Sequence, residues 1–316
     1  MAMLLETSLP LPLLKRGKVR DVYRLGDRLL IVSTDRISAF DYVLPCGVPE
    51  KGKVLNQLSA FWFTKTAHIV PNHLVRVIDS LKALREVMST IPDALASTPN
   101  VIARAESPKQ SPTPEASLVG RSMVTVHARR IPVECVVRGY LAGSAWAEYR
   151  QSGRVGGISL PQGMEESQEF PQPLFTPTTK SDVEHDRPLT ADDVKELGIE
   201  RLMPEMEEKS RLIYRFARDF AAARGIIIAD TKFEFGLIDG KLSLIDELLT
   251  PDSSRFWDSR RYQPGKPQQS LDKQPVRDWL LASGWDQNSP PPPLPPEVIR
   301  ATTKRYLKIY SLFTRE

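Results

Sequence analysis

Residues 225–258 read GIIIADTKFEFGLIDGKLSLIDELLTPDSSRFWD. The stretch opens with four apolar residues, Ile226 to Ala229, and then alternates. Side chains on a strand point to opposite faces in turn, so Asp230, Lys232 and Glu234 form one row and Thr231, Phe233 and Phe235 the other. Asp239-Gly240 is a hairpin turn signal, because glycine takes positive φ at no steric cost. The return strand, Lys241 to Ile245, ends at Asp246-Glu247, and a Pro/Ser loop carrying Arg255 follows.

A row of acid, base and acid has two readings. One is a solvated edge with cross-strand ion pairs, each worth under about 1 kcal/mol. The other is a site. The row follows an apolar run of the buried kind, and the return strand brings further acids back to the same place. Clustered carboxylates repel unless a cation sits among them, and Mg²⁺ with phosphate oxygens is the usual occupant. The register is open at this level. A two-residue turn pairs Ile238 with Lys241 and Glu234 with Ile245, which puts Glu247 on the face of Glu234. One extra residue, or a bulge near the strand end, brings Asp246 there instead.

Outward from this hairpin, 316 residues suffice for two domains or one large one. A hydrophobic fraction of 41% and a charged fraction of 26% fit a globular protein and not a disordered one. The net charge of +4 suits a binder of small polyanions, and the absence of a long Lys/Arg block argues against a dedicated nucleic-acid arm. Cys46 and Cys135 lack ligand spacing, so neither a disulfide framework nor a zinc site is implied and a cytoplasmic setting is expected. Met1 to Leu14 has no basic leader, is too short to span a membrane, and reads as a strand or loop on the body.

The first basic feature is Gly17-Lys18-Val19-Arg20, read as the start of a strand that turns at Leu25–Arg28 and returns through Leu29–Val32. A hairpin with glycine and cations at its tip can cover phosphates, and an ordinary exposed hairpin is the competing reading. STDRISAFD, residues 33–41, is a polar loop directly after a buried strand. Residues 52–69 read as a helix whose Phe61 and Trp62 belong to a core, and His68 and His73 as structural. Residues 97–117 form a surface excursion, and a domain junction is placed near 126–130.

IPVECVVRGYLAGS, residues 131–144, ends an apolar strand in Arg138 and follows it with a Gly-Ser turn. Guanidinium, hydroxyl and backbone N–H groups together can hold a phosphate; the alternative is Arg138 paired with an acid such as Glu134. Residues 161–177 read as a long polar loop leading to Thr179-Lys180 and then Asp182, His185 and Asp186. Thr190 to Asp193 opens a short helix with a capping box. Residues 204–224 form an amphipathic helix ended by Gly225. The proline run at 290–296 reads as a stiff spacer before a last helix, with a ligand for a proline-binding domain as the competing reading.

IPVECVVRGYLAGS and IIIADTKFEFG resemble the two signature stretches of the phosphoribosylaminoimidazole-succinocarboxamide synthases, or SAICAR synthetases. GKVRDVY, STDRISAFD, FTPTTKSDVEHD and LIDELLTPDSSRFWD resemble the family's other blocks in the same order, and GRSM and RGYLAGSAWAEY resemble its longer form. The resemblance implies an α+β fold of two lobes around an ATP cleft, distantly related to kinase and ATP-grasp nucleotide binders, with lobes at 1–127 and 128–316. It implies a ligase of purine biosynthesis that joins L-aspartate to carboxyaminoimidazole ribotide (CAIR) with Mg²⁺-ATP, releasing ADP and phosphate. The implied partners are these small molecules, without nucleic acid or membrane, for a monomer or homodimer.

Position by position, the resemblance makes Gly17, Lys18 and Arg20 phosphate-covering residues and Glu234 and Asp246 ligands of Mg²⁺-ATP. Lys232 stabilises charge on the transferring phosphoryl group, and Asp230 orients Lys232 or contacts the imidazole. Arg138, Ser144 and Arg255 grip the ribotide, and Asp41 and Lys180 lie near the substrate carboxylate or the incoming aspartate. Two other classes compete: a different ATP-dependent ligase or small-molecule kinase, and a non-catalytic nucleotide- or RNA-binding module.

Overall fold

The computed structural model describes residues 3–89, 114–180 and 187–315. Most of the excursion expected at 97–117 lies outside the described residues, as do Asp182, His185 and Asp186. The fold is α+β, and the chain divides into two compact units.

The first unit holds residues 1–60, 73–127 and 275–310. Its strands are β1 (Leu13–Arg16), β2 (Arg20–Leu25), β3 (Arg28–Ser33), β4 (Arg36–Ala39), β5 (Tyr42–Gly47), β6 (Leu74–Ile78) and β7 (Ser122–Val126). Five of them form an antiparallel sheet in the order β1-β2-β3-β7-β6. Tyr23, Leu25, Leu30, Val32 and Val124 bury one face of it against Leu84 and Val87 of the helix Leu81–Met88. The β4–β5 hairpin packs Ile37, Leu44 and Val48 against Val276, Leu280 and Leu294, so the proline run is more than a spacer: its leucine is core.

The structure relocates the basic tip. Gly26-Asp27 is a two-residue turn pairing Leu25 with Arg28, but Gly17 and Lys18 are not at that tip. They lie in the preceding turn, between β1 and β2, because Leu13–Arg16 pairs with β2. The sequence hid this strand: it is an edge strand exposed along its whole length, with no buried alternation to reveal it.

The second unit holds residues 61–72, 128–274 and 311–316. Its strands are β8 (Arg129–Tyr140), β9 (Arg154–Val155), β10 (Ile158–Ser159), β11 (Glu169–Phe175), β12 (Thr178–Thr179), β13 (Ile226–Ile238), β14 (Lys241–Ile245) and β15 (Ser254–Asp258). The six-stranded sheet is antiparallel and runs β11-β8-β13-β14, with β12 also on β8 and β15 also on β13. Trp62 is fully buried and meets Phe220 of the helix Met203–Ala222 at 5.3 Å between ring centroids and Phe313 at 5.1 Å, so it is core, as expected, while Phe61 beside it is partly buried.

β13 is the axis of this sheet. β8 pairs along most of its length on one side, from Asp230 to Leu237. On the other side β15 pairs from Ile226 to Thr231 and β14 from Glu234 to Ile238. The chain between those two strands, residues 246–253, leaves the sheet at that gap and returns to β13 where Lys232 N–H donates to the Ser253 carbonyl at 3.1 Å. A bulge against β15 between Ile228 and Asp230 changes which parity is buried: Ile226 and Ile228 before it, Thr231, Phe233 and Phe235 after it. That change leaves Lys232 and Glu234 partly exposed although they share parity with the buried isoleucines.

The expected loop at 161–177 contains a strand. β11 carries Pro171 and Pro173, which it accommodates because it is an edge, and an edge strand tolerates residues that cannot donate to a ladder. Its register against β8 shifts between Glu169 and Leu174, across the two prolines.

Candidate active site

The β13–β14 hairpin takes the two-residue turn. Asp239 and Gly240 both have positive φ, 50° and 77°, and the pairs are Ile238 with Lys241 and Glu234 with Ile245. The ladder stops there because Asp246 is left-handed, with φ 69°. A residue in that conformation breaks the alternation, so neither Asp246 nor Glu247 follows the simple face rule. Each acid helps to raise the pKa of a lysine: Asp246 that of Lys180, and Glu247 that of Lys232 in the row. Glu247 also accepts a hydrogen bond from Thr250 Oγ1 at 2.5 Å within the 246–253 loop.

Glu234 stands directly opposite Glu134 of β8. Two carboxylates facing each other across a ladder are destabilising alone. Here two ammonium groups hold them. Lys180, just after β12, is ion-paired with Glu134 and lies 3.2 Å from Glu234. Lys232 Nζ donates to Glu134 Oε1 at 2.8 Å. Burial pushes the Glu134 carboxyl up, but Lys232 and Lys180 outweigh it and hold the pKa below the ordinary value. Burial pulls both lysines down, and their carboxylate neighbours, Glu234 and Glu134 for Lys180 and Glu134 for Lys232, reverse the effect and raise them. Both lysines therefore stay charged.

A second cluster lies two residues back along β13. Asp230 is paired in register with Arg138 on one side and Arg255 on the other. Arg255 Nη1 meets Asp230 Oδ2 at 2.5 Å; Arg138 Nη1 lies 3.5 Å from the same oxygen and its Nε donates to Thr176 Oγ1 at 2.9 Å. Burial lowers the pKa of Arg138, whereas Asp230 raises that of Arg255. Gly143 lets Arg255 approach: with φ 57° and ψ −127° it suits glycine alone, and a Cβ there would stand 2.2 Å from Arg255 Nη2. Ser144 then begins the helix Ser144–Ser152, whose first N–H groups are suited to an anion.

The second unit thus brings together Asp230, Arg138 and Arg255, and beside them Lys232, Glu234 and Lys180. In the first unit Lys18 and Asp41 form an ion pair of 2.5 Å between the β1–β2 turn and the β4–β5 turn, where Phe40 and Asp41 both have positive φ. Arg20 opens β2 opposite Ser33, on the face away from buried Asp21 and Tyr23.

Two assignments change. The acid that holds Lys232 is Glu134, not Asp230, which is taken by the two arginines. The acid facing Arg138 is Asp230, not Glu134. Glu134 was missed as a site residue, and alternation along β8 was the available signal, since Glu134 and Arg138 are four residues apart and share a face.

Among the described residues no group of three or more His, Cys, Asp or Glu side chains is placed to hold a metal ion alone. Mg²⁺ with a nucleotide needs only one or two carboxylates, the phosphates supplying the rest. Glu134, Glu234, Asp246 and Glu247 against Lys180 and Lys232 leave an excess of two negative charges, which one divalent cation neutralises. The donor set fits Mg²⁺ bound with a phosphate.

The model of the SAICAR synthetase family matches residues 13–292. A phosphoribosylaminoimidazole-succinocarboxamide synthase of Thermodesulfovibrio yellowstonii is 47% identical over 311 residues, covering 98% of each chain. One from Syntrophobacter fumaroxidans is 46% identical and covers 97% of this chain and 94% of its own. Among solved structures, the Saccharomyces cerevisiae SAICAR synthase complexed with SAICAR superposes with a TM-score of 0.81 at 39% identity, over 98% of both chains.

Proposed function

Because the chain belongs to the SAICAR synthetase family, ligases of purine biosynthesis, we propose that it joins L-aspartate to the carboxylate of CAIR at the expense of ATP. The observation that carries the reading is the ion cluster in which Lys180 bridges the facing carboxylates Glu134 and Glu234 and Lys232 pairs with Glu134, with Lys232 two residues along its strand from Asp230 and its two arginines. A carboxylate is a poor electrophile. Transfer of the γ-phosphoryl group of ATP to a CAIR carboxylate oxygen gives an acyl phosphate and ADP. The aspartate amine then attacks the acyl carbon, the carbon–oxygen bond to phosphate breaks, and the amine loses a proton as the amide forms.

Phosphoryl transfer is catalysed chiefly by positioning and by neutralising charge. Lys232 and Lys180 do both: their ammonium groups remain protonated and are fixed by Glu134. Arg138, Arg255 and the start of the Ser144–Ser152 helix hold the ribotide phosphate, with Asp230 aligning the two guanidinium planes. Gly17, Lys18 and Arg20 contact the nucleotide phosphates. Mg²⁺, when bound with ATP through Glu234 and Asp246, neutralises phosphate oxygens. No helix among the described residues is long and apolar enough to cross a membrane, and the cytoplasm is the proposed compartment.

The test is ADP release from the purified protein with Mg²⁺-ATP, CAIR and L-aspartate, each omitted in turn. Release that needs all of them, with matching formation of the succinocarboxamide, supports the reading. Release without aspartate points to a kinase-like activity and refutes the ligation step.

A further inference from the structure

Arg36, the arginine of STDRISAFD, is 8% exposed and every nitrogen of its guanidinium is engaged. Nε donates to the Lys18 carbonyl at 3.2 Å. Nη2 donates to the Gly17 carbonyl at 2.8 Å and to Asp21 Oδ1 at 2.7 Å. Nη1 donates to the Leu5 carbonyl. Two of these acceptors are consecutive carbonyls of the turn between β1 and β2. The turn is closed by Gly17 N–H donating to the Arg20 carbonyl at 2.7 Å.

In a trans peptide the C=O of one residue and the N–H of the next point in opposite directions. With the carbonyls of Gly17 and Lys18 drawn onto one guanidinium, the N–H groups of Lys18 and Val19 are turned to the other side. Successive backbone N–H groups on one side of a turn make an anion-binding concavity. Asp21, fully buried, neutralises Arg36, so the guanidinium contributes shape and not net charge.

We propose that Arg36 is a positioning residue for phosphate binding: it holds the Gly17–Lys18 carbonyls inward so that the Lys18 and Val19 N–H groups face a nucleotide phosphate. The proposal rests on the reading that this turn contacts the nucleotide. A lysine at position 36 preserves the charge opposite Asp21 but cannot fork to both carbonyls.

The experiment is calorimetric titration of the full-length protein with Mg²⁺-ADP at several salt concentrations, with thermal melting of each variant. Arg36→Lys is expected to raise Kd about tenfold, the scale of a lost charge-assisted contact, with the salt dependence unchanged. Lys18→Ala is expected to weaken binding and to reduce the salt dependence, since it removes a cation. Thr7→Val is the control. Thr7 Oγ1 donates to the same Asp21, at 2.6 Å, but makes no contact with the turn carbonyls, so its loss lowers Tm and leaves Kd unchanged. An unchanged Kd in Arg36→Lys, or an equal rise in Thr7→Val, overturns the proposal. Lys18→Ala separates the two levels: if it too leaves Kd unchanged, the phosphate reading of the turn falls; if it weakens binding while Arg36→Lys does not, only the role of Arg36 falls. The pair Arg36→Gln with Asp21→Asn, which neutralises both partners, answers the same question where the lysine variant does not fold.

Discussion

Replacing Glu134 by glutamine tests the central ion cluster. The Glu134 side chain is 6% exposed and holds both Lys180 and Lys232. Removing one partner of a buried pair costs about 3–5 kcal/mol, because the other charge is left behind. Lys180 keeps Glu234 at 3.2 Å and Lys232 keeps the field of Glu247, so the low end, about 3 kcal/mol, applies. For a domain of this class each kcal/mol shifts Tm by about 2–4 °C, so the expected drop is about 6–12 °C. The effect carries a pH signature. The folded pKa of Glu134 lies below its ordinary value of 4.5, so its contribution is present in full above that value and is lost as pH falls through the folded pKa. Glutamine does not titrate. Urea denaturation of both proteins between about pH 7 and pH 3, followed by tryptophan fluorescence, therefore gives a stability difference that is constant down to the ordinary carboxyl range and shrinks below it. A variant as stable as the parent near neutrality, or a gap that widens on acidification, refutes the assignment.

Lys232→Ala lowers kcat by about 10²–10³ with little change in the folded state, and a near-parental kcat excludes its role at the phosphoryl group. Asp246→Asn raises the KM for Mg²⁺-ATP more than Glu247→Gln does, because Glu247 is engaged by Thr250 within its own loop; steady-state kinetics in ATP reads the ranking, and the reverse order makes Glu247 the ligand. Gly143→Ala drives a methyl group into the Arg255 guanidinium at a backbone conformation costing about 1–3 kcal/mol, so the KM for CAIR rises and that for ATP does not. Equal effects on both would refute a local action on the ribotide grip.

Much of the site's frame was legible along the chain, because it is made of local patterns. Asp-Gly at 239–240 located the hairpin turn, and of the two registers left open along the chain the structure takes the two-residue one, with Glu234 opposite Ile245. Alternation placed Asp230, Lys232 and Glu234 in one row. The amphipathic stripe and Gly225 located the helix Met203–Ala222, and Thr190 to Asp193 formed the capping box that its spacing announced. The Gly17–Lys18 turn was misplaced because an edge strand exposed throughout leaves no periodic mark. β11 was missed because proline speaks against a strand unless its edge position is known.

The sequence by itself therefore determined the hairpin, the long amphipathic helix Met203–Ala222 and the family to which the chain belongs, and it narrowed the register to two choices. The charge pairing was decided only by the tertiary structure. Lys232 and Glu134 are separated by 98 positions, and they meet because β8 lies beside β13 in one register. That same register sets Asp230 between Arg138 and Arg255, and the left-handed Asp246 releases the following acids from the strand's alternation. Alternation and turn residues act over a few positions and can be read in order. Which acid neutralises which base depends on strand order and on bulges, and these are fixed by the packing of the whole sheet.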